Sequence, residues 1–142
     1  MDTNIEFLNY IHQNAEMGKD TISQLVNIVV DGPFKQKLAL QLRGYNEIFD
    51  IARTKLEAAK QTSKGIESFT KFTTYLMINF KTMMDKTPSH IAAMIIQGST
   101  MGIVDVTKKL KEYKAAKEDI SLLAKQLLVF EQQNVEEMKK FL

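Results

Sequence analysis

Cysteine is absent from all 142 residues. That removes disulfides, thiolate zinc sites, iron–sulfur clusters and cysteine nucleophiles at once, and it is compatible with a reducing cytoplasm. Tryptophan is absent too, and only two prolines and six glycines punctuate the chain. With so few breakers, most of the sequence favours helix. No window approaches 18 uninterrupted apolar residues, so no membrane-spanning helix is expected. The opening MDTNIEFLNY carries an early acid and no basic segment before an apolar run, which is not the pattern of a signal peptide. Neither sign of charge dominates: 19 basic and 17 acidic residues leave a net charge of +2. That balance gives no argument for nucleic acid.

What is present is ordinary material for a folded core. Hydrophobic residues make up 44% and charged residues 25%, and eight methionines supply bulky apolar filler. A chain of this size buries roughly 70% of its unfolded surface, so residues 1–142 are expected to form a single helical-bundle domain.

The apolar positions fall into helical stripes. Leu8, Ile11, Ala15, Gly18, Ile22, Leu25 and Val29 follow alternating steps of three and four, with Thr3 or Asn4 as the expected cap. Asp31, Gly32 and Pro33 form the clearest turn, after which Phe34, Leu38, Leu42, Tyr45, Phe49, Ala52 and Leu56 share a face. So tight a connection predicts an antiparallel hairpin. After the polar break QTSKG, Ile66, Phe69, Thr73, Leu76, Phe80 and Met83 predict a crossover helix over residues 66–85. Thr87 and Pro88 restart the chain, and IAAMIIQGSTMGIV, apolar or small nearly all round, is expected to be the most buried helix. Residues 89–142 as one helix would extend roughly 80 Å. Compactness favours a turn within residues 113–119, followed by a last helix with Ile120, Leu123, Leu127, Met138 and Phe141 on its apolar face.

One short pattern occurs twice. QNAEMG at 13–18 and QGSTMG at 97–102 share Gln, Met and Gly, 84 residues apart. Gly18, Gly98 and Gly102 are therefore expected to mark helix close packing, where the first and third long helices press together. Met17 and Met101 flank that contact.

Two helix hairpins joined by a long crossover resemble the ferritin and rubrerythrin superfamily. The resemblance implies a ferritin-like up–down four-helix bundle with an additional crossover helix. It also implies a Glu on the first helix of each hairpin and Glu-x-x-His on the second, holding two irons. The nearest matches are Glu16 with the Glu47 to Asp50 tetrad, and Thr100 with the Glu131 to Asn134 tetrad, each pair 31 residues apart. Asp50 and Asn134 stand where the family has His, Thr100 replaces a carboxylate, and the histidines His12 and His90 sit elsewhere. At about 100° per residue, Glu47 projects opposite its apolar stripe and Glu16 lies outside its own. The ligand set is degenerate, and no cofactor is expected.

Glu131 and Asn134 project toward the apolar face of the last helix. They mark either a remnant metal or ligand site, or a polar layer that fixes helix register with a donor such as Tyr45 or Lys19. Met77, Met83, Met84, Met94 and Met101 read as core filler. Lys108, Lys109, Lys111, Lys114 and Lys117 read as the solvated end of a helix. The expected role is a non-catalytic, bacterial-type structural or interaction module, with self-association through apolar helix faces. A metal-binding carboxylate protein is the alternative, and a helical adaptor using the lysine ridge on an acidic partner is a third reading.

Overall fold

The computed structural model describes residues 2–59 and 84–142. Within them lie four helices and no strands: α1 (Thr3–Val26), α2 (Gly32–Ala58), α3 (Pro88–Glu112) and α4 (Glu118–Lys139). None is long and apolar enough to cross a membrane. The crossover expected over 66–85 lies outside the described residues, except for Met84 and Asp85, which are not helical.

Side-chain caps set the helix starts. Asp2, rather than Thr3 or Asn4, caps α1: its carboxylate accepts from the Asn4 N–H at 2.8 Å. Asn4 is used elsewhere, its Oδ1 accepting from the Lys117 N–H at 2.8 Å and tying the start of α1 to the start of α4. Asp31 caps α2 by accepting from the Phe34 N–H at 2.9 Å, with Pro33 in the first turn, where its missing N–H costs nothing. Thr87 and Pro88 open α3 in the same way. α3 ends at Glu112 and α4 begins at Glu118, so the chain turns at 113–117 and the single long helix does not form.

Each hairpin buries the stripe its sequence announces. Leu8, Ile11, Ala15, Ile22, Leu25 and Val29 are buried, as are Phe34, Leu38, Tyr45, Ala52, Leu56, Ile120, Leu123, Leu127 and Met138. Phe141 closes one end of the core by lying against Phe34, ring centroids 4.7 Å apart. α2 and α4 run antiparallel, with Lys37 reaching Glu137 at one end (3.3 Å) and Lys55 reaching Asp119 at the other (2.7 Å).

The most buried helix is α1, not α3. Every residue from 7 to 15 is buried, including Asn9, His12, Gln13 and Asn14. The apolar letters around α3 exceed what its neighbours cover, leaving Met101 45% and Val104 47% exposed. Composition around a helix counts its apolar surface; its position in the bundle decides how much of that surface is used.

Candidate functional site

The centre of the bundle is polar. Tyr45 on α2 and Glu131 on α4 are both buried, and the tyrosine hydroxyl donates to Glu131 Oε2 at 2.9 Å. Of the two donors offered by the sequence, Tyr45 is the one present. Lys19 lies over the Phe49 ring instead, 4.4 Å from its centroid.

The repeated glycines explain how two large polar side chains fit there. A Cβ at Gly18 would collide with the Tyr45 ring, and one at Gly102 would lie 2.8 Å from Glu131 Oε1 and 2.9 Å from its Cδ. Each glycine thus opens a notch for a side chain of its own hairpin partner: Tyr45 crosses Gly18, and Glu131 crosses Gly102. At both positions the nearest atoms belong to a side chain of the same hairpin. A third notch, Gly44, holds the Phe130 ring, which meets Tyr45 edge-on at 4.8 Å. Gly98 has a different place, lining a cleft between α1 and α3.

Other helices complete the layer. Asn14 on α1 donates through Nδ2 to the Tyr10 hydroxyl at 3.2 Å. Asn14 also stands beside the Glu131 carboxyl, while Ser99 on α3 and Asn134 on α4 flank the Tyr45 hydroxyl. Among the described residues, Glu131 Oε1, Asn14 Oδ1 and Asn134 Nδ2 have no hydrogen-bond partner. The sequence reading missed Tyr10, Asn14 and Ser99. The four-residue step from Tyr10 to Asn14 to Gly18 was the available signal, since it puts all three on one face.

Burial governs the electrostatics. With Glu131 only 2% exposed, loss of solvent pushes its carboxyl up to about 8, against the hydrogen bonds from Tyr45 and Asn14 and with help from the charge of Asp105. Burial likewise drives the Tyr45 phenol well above its usual range, with Glu131 next in effect, and raises Tyr10. At neutral pH the carboxyl keeps its proton, and the tyrosines keep theirs. The layer is a network of neutral donors and acceptors, the form in which a low-dielectric interior tolerates such groups.

The other acids with family-type spacing are aimed elsewhere. Glu47 is 62% exposed at its side chain and pairs with Arg43 at 3.7 Å; Asp50 pairs with Arg53 at 3.2 Å on the surface. Thr100 is exposed, and Glu16 is half-buried with Oε2 3.8 Å from His12 Nδ1. Among the described residues, no three of His, Asp and Glu gather closely enough to hold a metal ion. Buried His12 lies against the Phe49 ring at 4.4 Å, and its pKa is lowered first by burial and then by Arg53 and Lys19. His90 is exposed in the first turn of α3. Met84 and Met101 are exposed and Met17 is buried, while Met77 and Met83 lie outside the described residues. In the lysine ridge, Lys109 pairs with Glu112 at 3.1 Å; Lys108, Lys111, Lys114 and Lys117 are exposed.

The cleft between α1 and α3 is lined by Met17, Ile22, Leu25, Met94 and Ile95, and ends on Tyr45, Ser99 and Glu131. It encloses a cavity of about 30 Å³. Gly18, Thr21, Met94 and Gly98 are partly exposed members of its lining. Comparison with protein-family models, with curated proteins and with solved structures yields no match to this chain.

Proposed function

We propose that this chain is a non-catalytic structural or interaction module of ferritin-like layout, in which the polar layer around Tyr45 and Glu131 sets the alignment of two helix hairpins. The observation that carries this reading is the divergence of the acids. Glu131 sits in the core while the Glu47 side chain is 62% exposed on the opposite side of its helix. Carboxylates so placed do not converge on one ion pair, which is what the iron chemistry of ferritin-like proteins requires. Glu131 instead has a hydrogen-bond donor and a notch cut to its shape.

The module reading places function on the surface. Leu122 and Val129 on α4, seven residues apart and both exposed, share a helix face with a repeat suited to another helix. Self-association through such faces is the partner this reading favours; the lysine ridge offers a second surface for an acidic partner.

Two measurements test it together. The purified protein is expected to carry no stoichiometric iron, manganese or zinc, and adding each metal is expected to leave Tm unchanged. A metal-dependent rise in Tm that disappears in Glu131→Gln would replace this reading with the metal-carboxylate alternative. Light scattering on a sizing column reads the mass, and a concentration-dependent oligomer that Leu122→Glu with Val129→Glu reduces to one chain is the expected form of self-association.

A further inference from the structure

We propose that the cleft between α1 and α3 binds the head of a primary alkyl-ammonium, with Glu131 as its counter-ion and Met17, Leu25, Met94 and Ile95 along its carbon chain. The inference does not depend on the ferritin-like reading. It starts from what the layer leaves unfilled. Glu131, 2% exposed, lines the cleft and has no partner at Oε1; beside it Asn14 Oδ1 is likewise an open acceptor. Once the carboxyl is ionised both are acceptors with no donor among the described residues, and such a pair calls for one. Among the described residues, the groups that face the carboxyl are Asn14 and Tyr10 from α1, Tyr45 from α2 and Asp105 from α3, and the charged one is itself acidic. A bound cation would supply what these neighbours do not.

The walls decide which cation. A divalent metal is best held by several charged or strongly donating ligands, and this cleft presents one carboxylate and the hydroxyls of Thr21, Tyr45 and Ser99 against aliphatic and thioether walls. A primary ammonium carries three donors on a carbon chain, so its two ends match the two ends of the cleft. Size agrees. At roughly 10–15 Å³ per water-sized occupant, about 30 Å³ takes two or three heavy atoms, the nitrogen and its first carbons. A longer chain would run outward past the partly exposed lining at Gly18, Thr21, Met94 and Gly98. Since the carboxyl holds a proton near neutrality, the ammonium enters by exchange with it, and affinity rises with pH until the carboxyl is fully ionised.

Such a head group belongs either to a free small amine or to a lysine side chain of a partner protein, and the probes separate the two. Tm of the full chain is followed against n-butylammonium chloride, Nα-acetyl-lysine amide, tetramethylammonium chloride and sodium chloride. The expected result is a saturable rise of several degrees with a primary ammonium and none with tetramethylammonium or sodium. Below the carboxyl's titration, apparent affinity should weaken about tenfold per pH unit. A larger response to the lysine derivative assigns the site to a partner's lysine; a larger response to n-butylammonium assigns it to a free amine. Glu131→Gln, of nearly equal volume, and Met94→Phe, which fills the cleft while leaving the carboxyl in place, should each abolish the rise. Should Glu131→Gln fail to fold, Met94→Phe carries the comparison. No saturable rise in the wild-type protein, or an undiminished rise in a folded variant, overturns the proposal.

Discussion

The Tyr45 hydroxyl and the Glu131 carboxyl meet at 2.9 Å across the junction of the two hairpins, each having passed over a glycine of its own hairpin to get there. Neither could be placed without the other. A buried phenol needs an acceptor and a buried carboxyl needs a donor, and each would otherwise lose the water it had in the unfolded chain.

Tyr45→Phe keeps the ring over Gly18 and removes only the donor. The expected cost is about 1–3 kcal/mol, the range for leaving a buried acceptor unfilled. It should grow as pH rises through the titration of Glu131, because the ionised carboxylate then loses its donor. Urea unfolding at acidic and alkaline pH measures both values; an equal loss at each would show that the carboxyl never ionises in the fold.

Glu131 also makes stability depend on pH. Its folded pKa is raised to about 8 from 4.5, so between those values the folded chain holds a proton that the unfolded chain releases. Stability from this group is therefore full below about pH 4.5 and declines as pH rises, by up to about 1.4 kcal/mol per unit, until the folded carboxyl ionises. Glu131→Gln should flatten this slope and be relatively more stable than wild type in mild alkali. Tm against pH for the two proteins is the check.

Gly102→Ala should destabilise by about 1–3 kcal/mol despite the gain in helix propensity, because the added methyl meets the Glu131 carboxyl inside contact distance. Combining it with Glu131→Ala should cost less than the sum of the single changes, since the second removes what the first strikes. Strict additivity in that cycle would mean the notch has no role in seating the acid.

Lys55→Ala should matter little. Its 2.7 Å pair with Asp119 is the shortest of the surface ion pairs among the described residues, yet the Asp119 side chain is more than half exposed. Exposed pairs contribute about 0.2–1 kcal/mol and lose part of that to salt. Denaturation midpoints in low and high salt give the value.

The helices themselves were legible in the letters. The steps of three and four in Leu8, Ile11, Ala15, Ile22 and Leu25, and the turn at Asp31 to Pro33, name real elements because periodicity and proline act locally. The break at 113–117 came from a length argument instead, there being no glycine or proline to mark it. Glu131 was visible as an acid on an apolar face. What could not be read was the burial of Asn9, His12, Gln13 and Asn14: polar letters on a helix read as a solvent face unless it is known that neighbours surround it. The glycines were legible only in part, for a related reason. A small residue announces that something comes close, and only the assembled bundle says whether it is a backbone or a Tyr45 ring.

The antiparallel alignment of α2 against α4, pinned by Lys37 with Glu137, Tyr45 with Glu131 and Lys55 with Asp119, bears on how the chain avoids decoys. Sliding one helix by a turn would bring Glu131 opposite Gln41 or Phe49 and part both ion pairs. On the Phe49 side the acid would be stranded against a ring. Compact but misaligned collapsed forms therefore sit well above the native one in energy, and a chain that tumbles into one has reason to leave it.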